Sequence, residues 1–212
     1  MNGRAVLAAI VFWLAVTGVG QVARAGDDAA DFRRADKGLE AYRRVDYAVA
    51  LGEWLPLARR GDARAQTWVG VMHDQGKGVR KDHREALRWL GRAASQGYAE
   101  AEYRLGVIHE FGHGIAEDKA AAREYYERAA NHAHVEAQIR LSEFYELGFG
   151  TATDLVSAHM WAAIAKRIAS SHSERVRAVG SLDTLAEIMT PEQATEARRR
   201  AQAWIERRAR GE

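Results

Sequence analysis

A repeat with a period of 36 residues runs through the middle of the chain and limits the possible folds more than any other feature of the sequence. Three successive units, residues 61–96, 97–132 and 133–168, share small residues, glycines and one aspartate in register. A unit of this length is typical of a helical hairpin, which buries its apolar face only when it is stacked on its neighbours. The shared positions, in first-unit numbering, are Ala65, Gly76, Gly78, Asp82, Ala86 and Ala93.

Each unit is predicted to contain two helices. Apolar residues spaced by four and three at the start of the unit, beginning at Ala65, indicate one face of a first helix. Gly76 suits the left-handed residue that ends a helix, and Gly78 suits a tight loop in which a Cβ atom would clash. Asp82 is then expected to cap a second helix, which runs to about Ser95.

The residues on both sides of the repeat region are also expected to be helical. Asp46 lies 36 residues before Asp82, so residues 26–60 are predicted to contain a further hairpin with a shorter turn. The period stops after the third unit, and residues 169–212 are predicted to be a helical cap that closes the stack against water. Within that cap, Thr190 stands before a proline and predicts the start of the last helix.

These motifs resemble the Sel-1-like repeat family, a branch of the tetratricopeptide-type helical repeats, over about residues 38–168. The resemblance implies an all-α fold, a right-handed α-solenoid of helical hairpins, in which residues 26–60 are closer to a plain tetratricopeptide hairpin. Family members act mostly as scaffolds and adaptors, so the resemblance implies another protein as the partner, no enzymatic activity and no cofactor. The matching residues of the first unit are Ala63, Ala65, Val69, Gly70, Gly76, Gly78, Val79, Asp82, Ala86, Trp89, Ala93 and Ala94.

The first 25 residues have the pattern of a secretory signal peptide. Arg4 is followed by 15 uncharged residues, 5–19, and the segment ends in a small-x-small motif at Ala25. We therefore expect cleavage between Ala25 and Gly26 and a periplasmic or secreted product with no membrane span. The alternative is an uncleaved anchor, but the apolar run is shorter than the roughly 20 residues that cross a bilayer.

Composition excludes several classes of function. The chain has no cysteine, which excludes disulfides, a thiolate nucleophile and any cysteine-based zinc site. It carries 31 Lys+Arg against 29 Asp+Glu, and the predicted leader contains two of the arginines, Arg4 and Arg24, and no acid. The mature chain would therefore have no net charge, and a nucleic-acid partner is not predicted.

One segment, His109-Glu110-Phe111-Gly112-His113, matches the H-E-x-x-H motif, in which two histidines one helical turn apart bind zinc and the glutamate acts as a base. That chemistry needs an unbroken helix through both histidines. His113 follows a glycine at the point where the repeat predicts the end of the first helix. A zinc-dependent hydrolase is accordingly the least favoured alternative function, and no metal ligand is assigned.

The candidate partner-binding residues lie on the first helices, which line the concave face of tetratricopeptide-type stacks. An aromatic side chain, arginines and exposed apolar residues are typical of interface hot spots, and this face combines them. The alternative is that Trp68 packs on a neighbouring helix and that the arginines are ordinary surface residues. A second alternative is a cell-wall glycan or peptide binder that uses Trp68. The predicted set is Trp68, Val71, Arg104, Val107, Phe111, Arg140 and Glu143.

Overall fold

The computed structural model describes residues 31–211, except residue 32, and the predicted leader lies outside them. The described residues form ten helices and no strand, which confirms the all-α repeat fold. None of these helices is long and apolar enough to cross a lipid bilayer. The helices are α1 (33–43), α2 (Tyr47–Arg59), α3 (Ala63–Gln75), α4 (His83–Ala94), α5 (Ala99–Phe111), α6 (Lys119–Asn131), α7 (Val135–Leu147), α8 (Leu155–Ile168), α9 (His172–Ile188) and α10 (Pro191–Ala209).

The first helix of each repeat ends at a glycine, as predicted. Gly76, Gly112 and Gly148 follow α3, α5 and α7, and their φ angles are 68°, 66° and 73°. These angles lie in the left-handed region, which glycine enters without the steric cost that a Cβ atom brings. The glycines therefore fix where each hairpin turns.

The second helix of each repeat begins after an aspartate, also as predicted. The side chains of Asp82, Asp118 and Asp154 accept a hydrogen bond from the backbone N–H three residues later, at 2.9–3.1 Å. Each aspartate also donates its own N–H to the carbonyl nine residues earlier, at 2.9 Å. The aspartate thus starts one helix and ties the loop to the helix before it.

Small residues bring the two helices of a hairpin close together. A Cβ atom at Gly70 would lie 2.8 Å from Cγ of Leu90, and one at Gly106 would lie 2.5 Å from the ring of Tyr126. A large side chain of the second helix therefore packs directly on the backbone of the first. The alanines shared by the repeats are fully buried between the helices for the same reason.

The two C-terminal helices pack on the end of the stack in different ways. Ser171 and Thr190 each form a capping box at the start of α9 and α10. α9 packs on α7 and α8, whereas α10 turns back along α8. Trp204 of α10 meets Trp161 edge to face, with ring centroids 6.0 Å apart, and its indole N–H donates to Asn131 Oδ1 at 3.2 Å.

Candidate partner-binding groove

The first helices of successive repeats lie side by side and form one face of the stack, which we call the inner groove. α3 contacts α5, α7 contacts α9, and Arg140 of α7 forms an ion pair with Glu110 of α5. All seven predicted binding residues lie on α3, α5 and α7. The structure therefore brings the predicted set onto one row of helices, although the individual side chains differ in exposure.

Trp68 lies at the N-terminal end of the groove in a cluster of aromatic rings. Its ring stacks on Trp54, with centroids 5.2 Å apart and planes 12° apart, and lies 5.2 Å from Tyr42. Trp54 is fully buried and its indole N–H donates to Ala35 O at 3.0 Å. Trp68 is half-buried, so much of its ring packs on the neighbouring hairpin.

Val71 was expected to be one of the exposed apolar residues of this face, but it is buried and only 5% exposed. The neighbouring first helix, α5, approaches closely enough to cover it. Together with the half-buried Val107, Val71 forms part of a cavity of about 110 Å³ between α3 and α5. The full lining is Val71, Asp74, Gln75, Leu90, Arg104, Val107, Ile108 and His113.

Phe111 is the most accessible apolar member of the predicted set. It is the last residue of α5 and 53% exposed. Lys119 Nζ lies 5.5 Å from the centroid of its ring and 6.0 Å from that of Phe149, so the lysine contacts both rings. Leu147, which ends α7 as Phe111 ends α5, is 59% exposed. Exposed apolar residues therefore recur at this edge of the groove.

Arg104 is held at the groove by an ion pair with Glu100. Its Nε donates to Glu100 Oε1 at 2.7 Å, and His134 Nε2 lies 2.9 Å from Glu100 Oε2. His134 accepts the N–H of Ala137 at Nδ1, so Nε2 carries the proton and donates it. Burial alone would raise the pKa of Glu100, but these hydrogen bonds and the charge of Arg104 lower that pKa to about 2.

Arg140 lies between two carboxylates and Glu143 is one of them. Its guanidinium pairs with Glu143 on the same helix and with Glu110 on α5. Glu110 is buried and also accepts a hydrogen bond from the Tyr126 hydroxyl at 2.6 Å. Burial and this carboxylate both raise the pKa of Tyr126. Arg140 therefore joins two repeats while its side chain stays partly exposed.

The H-E-x-x-H segment does not form the unbroken helix that a zinc-dependent hydrolase requires. α5 ends at Phe111, and Gly112 is left-handed, so His113 lies outside the helix. The ring of His109 stacks on Tyr125 at 5.3 Å, whereas His113 Nδ1 lies 3.8 Å from an oxygen of Asp74. Among residues 31 and 33–211, no group of three or more His, Asp or Glu side chains is arranged to hold a metal ion.

Sequence reasoning missed the buried Glu102. This carboxylate is fully buried and pairs with Arg128 at 2.9 Å and with His132 at 2.7 Å. The available signal was the repeat itself, because the other two units carry Gln66 and Gln138 at the same position. A charge in a column of neutral amides indicates a buried ion pair.

The stacked hairpins and their inner groove define a helical-repeat protein of the kind that binds other proteins. The chain belongs to the Sel1 repeat family, whose model matches residues 63–98, 99–134 and 135–167. Sel1 repeats generally mediate protein–protein interaction. No curated protein matches the chain.

Two solved structures are similar to the chain. A Sel1 repeat protein from Oxalobacter formigenes is 27% identical, with a TM-score of 0.66 over 73% of this chain and 60% of that one. A protective antigen present in uropathogenic Escherichia coli strains, described as displaying an SLR fold, is 21% identical with a TM-score of 0.55 over 83% of this chain. At 21% identity the second likeness concerns the fold alone, and the chain spans 45% of that antigen.

Proposed function

We propose that the protein is a non-catalytic adaptor of the bacterial cell envelope that holds a segment of a partner protein in the inner groove. The observation that carries this proposal is the cavity between α3 and α5, with the exposed ring of Phe111 at the end of α5. A cavity lined by apolar side chains next to an exposed aromatic ring is where an anchor residue of a partner contributes most to the binding free energy.

The residues that line the cavity are suited to bind a partner side chain whose stem is apolar and whose end is polar. Val71 and Val107 supply apolar surface, while Asp74, Arg104 and His113 place polar groups around it. An extended or helical partner segment would insert one side chain here and lay its flank on Phe111. The ion pair between Arg104 and Glu100 keeps the wall in place before the partner arrives.

The envelope location rests on the sequence of residues 1–25, which has a charged start, an apolar run and a small-x-small end. The absence of cysteine is compatible with an oxidising compartment, where no unpaired thiol would be at risk. N-terminal sequencing of the protein recovered from the periplasm tests this point. Sequence starting at Gly26 is expected, and a retained Met1 would contradict cleavage.

Affinity capture from a periplasmic extract, followed by binding measurements on the purified partner, tests the adaptor role. Phe111→Ala and Arg104→Ala are expected to weaken binding about tenfold or more, which corresponds to about 1.4 kcal/mol. Val49→Ala, at an exposed valine of α2 outside the groove, is the matched control and should bind normally. Equal affinity of all three variants would contradict the groove.

The two alternatives are separated by simple assays. Sedimentation with purified cell-wall material that contains no protein tests glycan or peptide binding, and elemental analysis tests for zinc. Retention on the wall material or a stoichiometric metal would contradict the adaptor proposal in its present form.

A further inference from the structure

The outer surface of α9 is uncovered at the C-terminal end of the stack. Ala178 and Leu185 are the buried residues of this helix and face α7 and α8. Val176 lies on the opposite side and is 54% exposed. α9 packs as the first helix of a fourth hairpin would, but the helix that follows it returns to α8. One face of α9 is therefore open where a longer solenoid would add its next helix.

The open face carries a regular stripe of side chains. His172, Val176, Val179 and Asp183 are spaced by four, three and four residues, which is the spacing of a coiled-coil seam. They line one shallow cavity of about 420 Å³ together with Arg175 and Gly180. The stripe thus has an apolar centre and one charged or polar residue at each end.

The stripe is complementary to itself when two copies run antiparallel. A two-fold axis midway between Val176 and Val179 places Val176 of one copy opposite Val179 of the other. The same axis places His172 opposite Asp183, and both contacts occur twice, as an isologous interface requires. A Cβ atom at Gly180 would meet nothing within 4 Å, so the second helix has room to approach closely.

We propose that a second copy of this chain binds to the open face of α9, so that the protein forms a two-fold symmetric dimer through an antiparallel pair of α9 helices. Each copy contributes one helix to the contact. The interface is therefore small, and the dimer is weak and depends on concentration. The seven predicted partner-binding residues lie on α3, α5 and α7, so the proposed contact through the α9 stripe uses none of them.

Cysteine crosslinking tests the register, because the chain has no cysteine of its own. Val176→Cys and Val179→Cys are prepared separately and oxidised alone and as a mixture. The mixture is expected to form a disulfide-linked heterodimer in preference to either homodimer. Ile188→Cys is the matched control, since it is 55% exposed on the same helix but outside the stripe. Equal crosslinking at all three positions would overturn the proposed register.

Charge substitutions test the pairing at the ends. His172→Glu sets two acids against each other in its homodimer, and Asp183→Lys sets a lysine against a histidine. A mixture of the two variants opposes the introduced glutamate with the introduced lysine and leaves the second contact unchanged. Sedimentation equilibrium up to millimolar protein should show weaker self-association of each variant and recovery in the mixture. A parent protein that stays monomeric throughout would overturn the proposal.

Discussion

The second repeat satisfies one buried backbone carbonyl with a different kind of side chain from the first and the third. In all three, the carbonyl near the end of the preceding second helix points at the first helix and needs a donor. Gln66 Nε2 donates to Ala58 O at 3.0 Å in the first repeat, and Gln138 Nε2 donates to Ala130 O at 3.0 Å in the third. A neutral amide is sufficient at both places.

The second repeat has Glu102 at this position, and an ionised carboxylate has no proton to donate. Arg128 reaches in instead, and its Nη2 donates to Ala94 O at 3.0 Å while its Nε donates to Glu102 Oε1 at 3.1 Å. His132 Nδ1 lies 2.7 Å from the other oxygen of Glu102. The backbone requirement is the same, but it is met here by a buried charge and a long side chain from another helix.

The comparison shows that the three repeats share the same backbone carbonyl in need of a hydrogen-bond donor, although the residue that donates to it differs. One neutral amide reaches the carbonyl in the first and third repeats, and in the first its oxygen also accepts a hydrogen bond from Gln96 Nε2 at 2.9 Å. In the second repeat the same carbonyl depends on Arg128, which is in turn paired with the buried carboxylate of Glu102. Removing one member of a buried ion pair leaves the other uncompensated. The second repeat is therefore expected to be the most sensitive part of the stack to single substitutions.

The largest effect is expected for Arg128→Ala, which should lower the free energy of unfolding by about 3–5 kcal/mol because it leaves the carboxylate of Glu102 buried with one partner. Arg92→Ala is the matched control, since Arg92 holds the same place in the first repeat, in which the neutral Gln66 stands where the second repeat has Glu102. Its guanidinium is exposed over the ring of Trp89 at 4.8 Å, and about 1 kcal/mol or less is expected. Urea denaturation measures both.

Arg128→Ala can also be made in the Glu102→Gln variant, which tests whether the charge of Glu102 causes the loss of stability. In Glu102→Gln, the second repeat regains the amide of its neighbours, and Arg128→Ala should then cost about 1 kcal/mol or less. Equal costs of Arg128→Ala in the two backgrounds would show that the charge of Glu102 is not what makes this repeat sensitive.

A smaller loss is expected at the loop between α5 and α6, inside the second repeat, which packs against His83 of the first repeat. Gly114 has a φ of 72°, and a Cβ atom there would lie 2.4 Å from Cβ of His83. Gly114→Ala should therefore cost about 2–4 kcal/mol, from the left-handed backbone and from overpacking. Gly61→Ala is the control, because Gly61 also has positive φ but open space, and about 1–2 kcal/mol is expected. Thermal melting that places both variants at the same temperature would contradict the contact.

The acid stability of the second repeat gives the third test. The folded-state pKa of Glu100 is about 2 against an ordinary value of 4.5, so its contribution to stability is present above pH 4.5 and is lost as pH falls from 4.5 towards 2. Since the side chain is about a third exposed, we expect about 1–2 kcal/mol. Glu100→Gln should flatten the stability curve over this interval. Parallel curves for the parent and the variant would contradict the assignment.

The smallest expected change is a gain. Gly91 lies inside α4 with nothing near its missing Cβ, and the third repeat has Ala163 at the same position. Gly91→Ala should raise the free energy of unfolding by about 0.5–1 kcal/mol, because alanine loses less backbone entropy in a helix. A loss of stability in urea denaturation would mean that the equivalence between the repeats fails at this position.

The sequence predicted the helices well because their ends are set locally. Gly76 and Asp82 impose a left-handed residue and a cap whatever the neighbours do. The groove was harder to predict, since the burial of Val71 depends on how closely α5 approaches, and Trp68 meets rings from the preceding hairpin. The pairing of Arg140 joins two repeats, and no local pattern encodes it.

Site-specific photocrosslinking in living cells tests the central claim most directly. A photoreactive amino acid at Phe111 lies at the edge of the inner groove, and one at Val49 lies on α2 with similar accessibility. We expect the groove position to give a discrete adduct with one envelope protein, mapped by mass spectrometry to one segment of it, and the α2 position to give none. The same adducts at both positions, or none at Phe111, would contradict a partner held in the groove.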